Sequence, residues 1–301
     1  MRLSCLFTIL ASATAVVSAV PLDKRQSTTQ VYKFSGSPSS AEGIAARSNG
    51  QLLVSFFDKG ELWTVDPATK KASKVASFTD ATCTGAITEI APDVFAVVAG
   101  QFSFGGGNKP GSWAIWKVDF TKATPVASVL KKIPESTFFN GLTTLNNDTI
   151  LIGDAGKGAI WRLNVNTGAY SIAIQDTTMA PPSGQPMGLD GLRYVNGTIY
   201  FTNVFKNTFH KVAVDATGKA TGSIATIWSG TMADDLWVTP DGTSYVATGS
   251  ANKIQKVTSD NKISTIASIS GSTAVTFGRT EADKNTLYIT TGSGVIASIK
   301  V

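Results

Sequence analysis

Residues 140–155, NGLTTLNNDTILIGDA, hold two short runs rich in aliphatic and β-branched side chains, separated by the polar pair Asn147-Asp148. Runs of this length and make-up, bounded by Asn, Asp and Gly, read as a strand, a tight turn and a second strand. The same unit recurs as EGIAARSNGQLLVSFF from Glu42, TGAITEIAPDVFAVVA from Thr84, DGLRYVNGTIYFTN from Asp190 and DDLWVTPDGTSYVATG from Asp234. A sixth copy, TAVTFGRTEADKNTLYITTG from Thr273, has a longer turn.

The copies start 42, 56, 50, 44 and 39 residues apart, which is the length of one four-stranded propeller blade. A third alternating run follows each copy, among them ELWTVDP, WAIWKVDF, AIWRLNVNTG and FHKVAVDATG. A fourth follows in blades one to five, as in KASKVASF and KISTIAS, but the sixth copy ends at Val301 without one. The otherwise orphaned segment Gln30 to Phe34 is the natural replacement. It would close the ring by pairing the two ends of the chain and so remove the exposed sheet edges. The expected fold is therefore all-β: a six-bladed β-propeller of four antiparallel strands per blade, its last blade completed by the N-terminal strand. A β-sandwich or a solenoid accounts poorly for six copies of this spacing.

Composition agrees. Hydrophobic residues make up 43% of the 301 and charged residues 16%, which excludes a disordered chain or a coiled coil. Arg2, the apolar run Leu6 to Val17, and then Ser18 and Ala19 read as a secretory signal peptide over residues 1–19. Residues 20–25 then read as a propeptide ending at the dibasic pair Lys24-Arg25, with the propeller occupying 26–301. Removing this leader lowers the formal charge from +5 to +3, since Arg2, Lys24, Arg25 and Asp23 go with it. The remaining basic residues are scattered, so nucleic acid is not an expected partner, and no membrane anchor remains. Cys5 leaves with the leader, and Cys83 alone cannot form an intrachain disulfide; it reads as a small buried residue. Asn147 and Asn196 open glycosylation sequons at turns, in keeping with a secreted glycoprotein or a resident of the secretory lumen. The chain is expected to act as a monomer.

In a propeller the first strand of each blade lines the central channel. The residues opening those strands are Glu42, Thr84, Asn140, Asp190, Asp234 and Thr273. Carboxylates at such positions have no packing role, because a buried unpaired charge costs several kcal/mol. Three carboxylates and an amide meeting from four blades form a hard-oxygen set suited to one divalent cation, Ca²⁺ before Mg²⁺, held by Glu42, Asn140, Asp190 and Asp234. The alternative is a structural, water-filled channel. No nucleotide or organic cofactor is expected.

The loops leading into the first strands and those joining second to third strands share the face that carries this set. They bring Phe102, Phe104, Phe138 and Phe139 to the rim, with Met187, Phe205 and Met232 beside them. Such a mouth suits an apolar small molecule with a few polar anchors beneath it, although some of these side chains are expected to pack between blades. Gly105-Gly106-Gly107 has no following helix or GK[ST], so it reads as a lid and not a phosphate cradle. His210, the only histidine, falls in a third strand away from the axis, which argues against a catalytic triad or a histidine metal site.

Ala41-Glu42-Gly43, Asn140-Gly141-Leu142, Asp190-Gly191-Leu192 with Ile199 to Asn203, Asp234-Asp235-Leu236, and Thr273 to Gly278 followed by Leu287 to Thr291 occur in an order that resembles the SMP-30/gluconolactonase/LRE-like superfamily. The resemblance runs over nearly the whole mature chain. It implies one divalent ion held by a first-blade Glu, a fourth-blade Asn and a fifth-blade Asp, with a third-blade Asn nearby, at Glu42, Asp190, Asp234 and Asn140 here. Asp190 departs from the family's Asn, and Phe138 stands where the sugar-lactone enzymes carry a substrate-gripping Arg, which speaks against sugar lactones.

Ile150 to Asp154, Gly158 to Leu163, and Gly191-Leu192-Arg193 with Tyr200 to Asn203 are most similar to fungal propellers that include hetero-Diels–Alderases of secondary metabolism. That resemblance implies binding of a reactive quinone methide and an apolar alkene, and steering of their cyclisation. Asn140, Thr84 and Thr273 would then donate to a developing oxyanion, Phe138 and Phe139 would stack on the planar partner, and Asp190 and Asp234 complete the candidate catalytic set. Three readings therefore stand: a cyclisation catalyst, a metal-dependent lactonase or esterase, and a non-catalytic binding propeller.

Overall fold

The computed structural model describes residues 26–301. The leader and its Lys24-Arg25 pair lie outside them. The described residues form six four-stranded antiparallel sheets and one two-stranded hairpin. Blade one is Ala41–Ala46, Leu52–Phe56, Lys59–Asp66 and Lys71–Ser77, running from axis to rim. Blade three, Phe139–Asn146, Thr149–Asp154, Ala159–Asn164 and Tyr170–Gln175, repeats it without insertion. The innermost strands of successive blades touch around a closed ring, the sixth, Ser272–Phe277, lying against the first, Ala41–Ala46.

Closure follows the sequence expectation. Thr29–Lys33 pairs antiparallel with Val295–Lys300 as the outer strand of blade six, with Gln30 opposite Ala297 and Lys33 opposite Val295. Phe34 continues the join: its N–H donates to Gly294 O at 2.9 Å, and its ring meets Phe56 edge-on at 4.8 Å in blade one.

The core is six apolar seams, one between each pair of adjacent blades. Each sheet is covered on both faces, so an inner strand loses the apolar-polar alternation of a one-sided sheet. Leu52–Phe56 is accordingly buried at every residue. Outer strands face water, and in Lys71–Ser77 no residue is fully buried. The Asn196-Gly197 pair makes a tight hairpin in blade four with both φ values positive, 47° and 79°, a conformation that these two residue types tolerate.

Candidate functional site

The site is built by a repeated slip in the innermost sheet register. Pairing jumps from Ala41 to Ile44, from Phe139 to Leu142 and from Leu189 to Leu192, so Glu42, Asn140 and Asp190 each lie in a bulge. A bulge turns a side chain out of the normal alternation, here toward the axis. Glycine follows each of these residues because the next blade leaves no room. A Cβ on Gly141 would lie 2.3 Å from Asp190 O, and one on Gly43 would lie 2.8 Å from Gly85 O.

Hydroxyls on second strands hold the bulges. Thr202 Oγ1 accepts from Gly191 N at 2.8 Å and donates to Asp234 O at 2.6 Å in the next blade. Ser55 stitches Gly43 N to Gly85 O in the same way, at 2.8 and 2.6 Å.

The outcome is a convergence of charge. One carboxylate oxygen each from Glu42, Asp190 and Asp234 lies within 4.8 Å of the others. Asn140 Nδ2 donates to Asp190 Oδ1 at 2.5 Å. Burial, followed by the adjacent Asp235 charge, pushes the Glu42 carboxyl up to about 8, against a lowering by Asn140. Burial and repulsion from Glu42 hold Asp190 well above the carboxylate range; burial, then Asp190 and Glu42, do the same for Asp234. Asp235 is the one acid of the group with a cation: Arg193 Nη2 donates to its Oδ2 at 3.0 Å. Among the described residues no Lys or Arg forms an ion pair with Glu42, Asp190 or Asp234. Three hard oxygen donors and a neighbouring amide with no internal counter-charge fit a divalent cation.

Other ring residues are placed differently from expectation. Thr84 and Thr273 do not present free hydroxyls to the channel. Thr84 Oγ1 accepts from Phe56 N at 2.7 Å and lies 3.1 Å from Phe56 O and Glu61 O, tying blade two to blade one. Thr273 Oγ1 is engaged with Ala41 O at 2.9 Å, Glu42 O and Thr290 Oγ1. Both act in the ring's framework because their hydroxyls satisfy carbonyls at blade junctions.

The aromatic rim also needs correction. Phe138 and Phe139 are fully buried and cannot stack on a ligand in this conformation. Phe138 lies flat on Trp113 at 4.9 Å between ring centres, and Phe139 packs toward Trp161. Phe104 is 73% exposed, the largest value among the large apolar side chains of the described residues, and Phe205 is exposed at 38%. Phe102 and Met187 are half-buried against the seam of blades two and three. Met232 sits beside Asp234: its Sδ accepts from Ser250 Oγ at 3.1 Å, and a Cβ on Gly249 would meet both Met232 Sδ, at 2.9 Å, and Asp234 Oδ2, at 3.3 Å.

Exposed Phe104 continues into the half-buried Phe57 and Phe102, with ring centres 4.6 Å (57–102), 5.8 Å (57–104) and 5.6 Å (102–104) apart. Phe57 was missed by sequence reasoning, although it occupies the loop after the second strand of blade one, the position that singled out Phe102 and Phe205. Phe102–Ser103 and Gly107–Asn108 form a hairpin, so Gly105 and Gly106 are its tip. Its base is pinned: Thr82 Oγ1 accepts from Phe102 N at 3.0 Å and donates to Phe102 O at 2.7 Å. Cys83 is buried, and its thiol is pushed up by burial and then by Glu42 and Asp58. His210 is buried away from the site, stacked on Phe201 at 4.8 Å. Asn147 and Asn196 are exposed at turns joining first and second strands, on the far side from the acidic ring.

Residues 40–293 match the family model described as SMP-30/Gluconolactonase/LRE-like region. The chain belongs to that family. Within it, the SMP-30/gluconolactonase-like chain is 26% identical over 298 residues to a provisionally named hetero-Diels-Alderase of Phoma sp, covering 83% of this chain and 82% of that protein. A gluconolactonase of Xanthomonas campestris superposes with a TM-score of 0.69 at 14% identity, over 91% of this chain and 89% of that one. The calcium-binding regucalcin of Agrobacterium tumefaciens superposes with a TM-score of 0.65 at 14% identity, over 90% and 95%. At such identities the two solved structures attest the shared fold alone. Among the described residues, no helix is long and apolar enough to cross a membrane.

Proposed function

We propose that this SMP-30/gluconolactonase-like propeller is a small-molecule enzyme of secondary metabolism that binds an apolar, reactive intermediate at the channel mouth and steers a hetero-Diels–Alder-type cyclisation. The observation that carries the reading is the pairing of a largely buried acidic cluster, Glu42, Asp190 and Asp234, with the aromatic wall of half-buried Phe57 and Phe102 and exposed Phe104. The likeness to the Phoma protein supports it.

Glu42, Asp190 and Asp234, with Asn140 beside them, would hold one divalent cation, and the calcium-binding relative favours Ca²⁺. When bound, such an ion supplies electrostatic stabilisation to negative charge developing on a substrate oxygen. The chain's own residues do the rest. The aromatic wall takes up the apolar body and excludes water from one side, and holding two reacting ends near their attack distance supplies several kcal/mol. Without a cation, burial raises the Glu42 carboxyl to about 8, which favours the protonated form that can donate a hydrogen bond to an oxyanion. The leader, the dibasic pair and the two sequons support passage of the protein through the secretory pathway.

A second reading, a cation-dependent lactonase or esterase, is favoured by the donor set itself, with a ring carboxylate as general base. One assay separates the two. Turnover of a simple γ- or δ-lactone that is abolished by EDTA and by Glu42→Gln marks hydrolysis. Cyclisation of a quinone methide with an alkene that survives EDTA but falls with Phe104→Ala marks pocket-driven chemistry. An absence of turnover on both substrate classes would sink both enzymatic readings and leave a binding propeller.

A further inference from the structure

We propose that the opposite mouth of the channel is a second small-molecule site, one that takes a small organic carboxylate. The far ends of the inner strands enclose a cavity of about 260 Å³ there, reached from the face away from the acidic ring. Its walls combine an apolar part, including Ile44, Ile87 and Val195, with Trp237, Arg193 and Arg279 from three consecutive blades. Arg193 is only 9% exposed, an unusual position for a guanidinium.

The chemistry of the ligand follows from which hydrogen-bonding groups are left over. The one carboxylate in the lining, Glu89, is committed: Oε1 accepts from Asp93 N at 2.8 Å and Oε2 from Arg279 Nη1 at 2.6 Å. Arg193 spends Nη2 on Asp235 at 3.0 Å and Nη1 on the carbonyls of Leu192 and Leu142. Thr143 Oγ1 accepts from Tyr194 N at 3.1 Å. Among the described residues, Nε of Arg193, Nε and Nη2 of Arg279, and Nε1 of Trp237 have no protein acceptor. The unused capacity is thus mainly that of donors, beside an aromatic ring and aliphatic walls. An anion with two coplanar oxygens matches a guanidinium fork, and a short apolar body matches the walls.

Sodium benzoate is the probe. Calorimetric titration of the whole protein should give saturable one-to-one binding, and the uncharged isostere benzamide should bind at least tenfold more weakly. Arg279→Ala, whose side chain is partly exposed and outside the core, should weaken benzoate at least tenfold. Trp237→Phe should remove the tryptophan fluorescence change that accompanies binding. Phe104→Ala, on the other face, should leave the affinity unchanged. Non-saturable heats, equal affinity for benzamide, unchanged binding in both Arg279→Ala and Trp237→Phe, or a comparable loss in Phe104→Ala would each overturn the proposal.

Discussion

Asn140 and Asp190 meet across the boundary of blades three and four, the amide of one donating to the carboxylate of the other at 2.5 Å. Here a neutral donor partly offsets an acid that burial and Glu42 otherwise push upward. The pair therefore sits where metal-free repulsion and cation affinity trade against each other.

Removing one charge should expose that trade. Asp190→Asn is expected to stabilise the EDTA-treated protein by about 1–2 kcal/mol, because it relieves like-charge crowding. It should also shrink the stabilisation gained from added CaCl2. Thermal melts of both proteins with EDTA and with Ca²⁺ check this; an unchanged calcium response in the variant would refute the assignment of Asp190 as a ligand.

Glu42 gives a pH dependence of definite sign. Its carboxyl lies near 8 in the fold against 4.5 unperturbed, so the folded state binds the proton more tightly than the unfolded state does. That stabilising contribution is complete below about 4.5 and is lost as pH rises through 8. In EDTA, the melting temperature of the native protein should fall across this window relative to Glu42→Gln.

His210 carries the opposite sign. Burial, followed by Lys206, lowers it from 6.5 to about 4, so the neutral ring is the folded form. Its contribution is present above 6.5 and is lost as pH falls toward 4. Denaturant titrations at pH 7 and pH 4.5 should show a smaller difference for His210→Gln than for the native protein.

Two phenylalanines of the rim should part company. Phe104→Ala is expected to change stability by less than about 0.5 kcal/mol, as an exposed side chain, while lowering turnover of an apolar substrate. Phe138→Ala, buried on Trp113, should cost about 3–5 kcal/mol. Urea unfolding and kinetics on the same two variants test both halves.

The architecture was legible because each blade must present two covered sheet faces, and that demand writes one strand-turn-strand unit into the chain six times. Closure was legible for a related reason: the sixth copy lacked an outer strand and Gln30 to Phe34 lacked a partner. The acidic members of the ring were legible because carboxylates at channel positions have no packing use. Thr84 and Thr273 were not, since a hydroxyl reads alike whether it faces the channel or a carbonyl of the next blade. Phe138 and Phe139 misled because period-two alternation reports which face a side chain takes and says nothing of how deep a leading loop sinks into a seam. Arg193 with Asp235 left no local signal, as its partners lie 42 residues apart in the chain.

The join between Thr29–Lys33 and Val295–Lys300 also sets a timetable for biosynthesis. The first part of the propeller to leave the ribosome must wait, unpaired, until the last has been translated. Any message truncated before blade six yields a product with two raw sheet edges, a natural target for quality control.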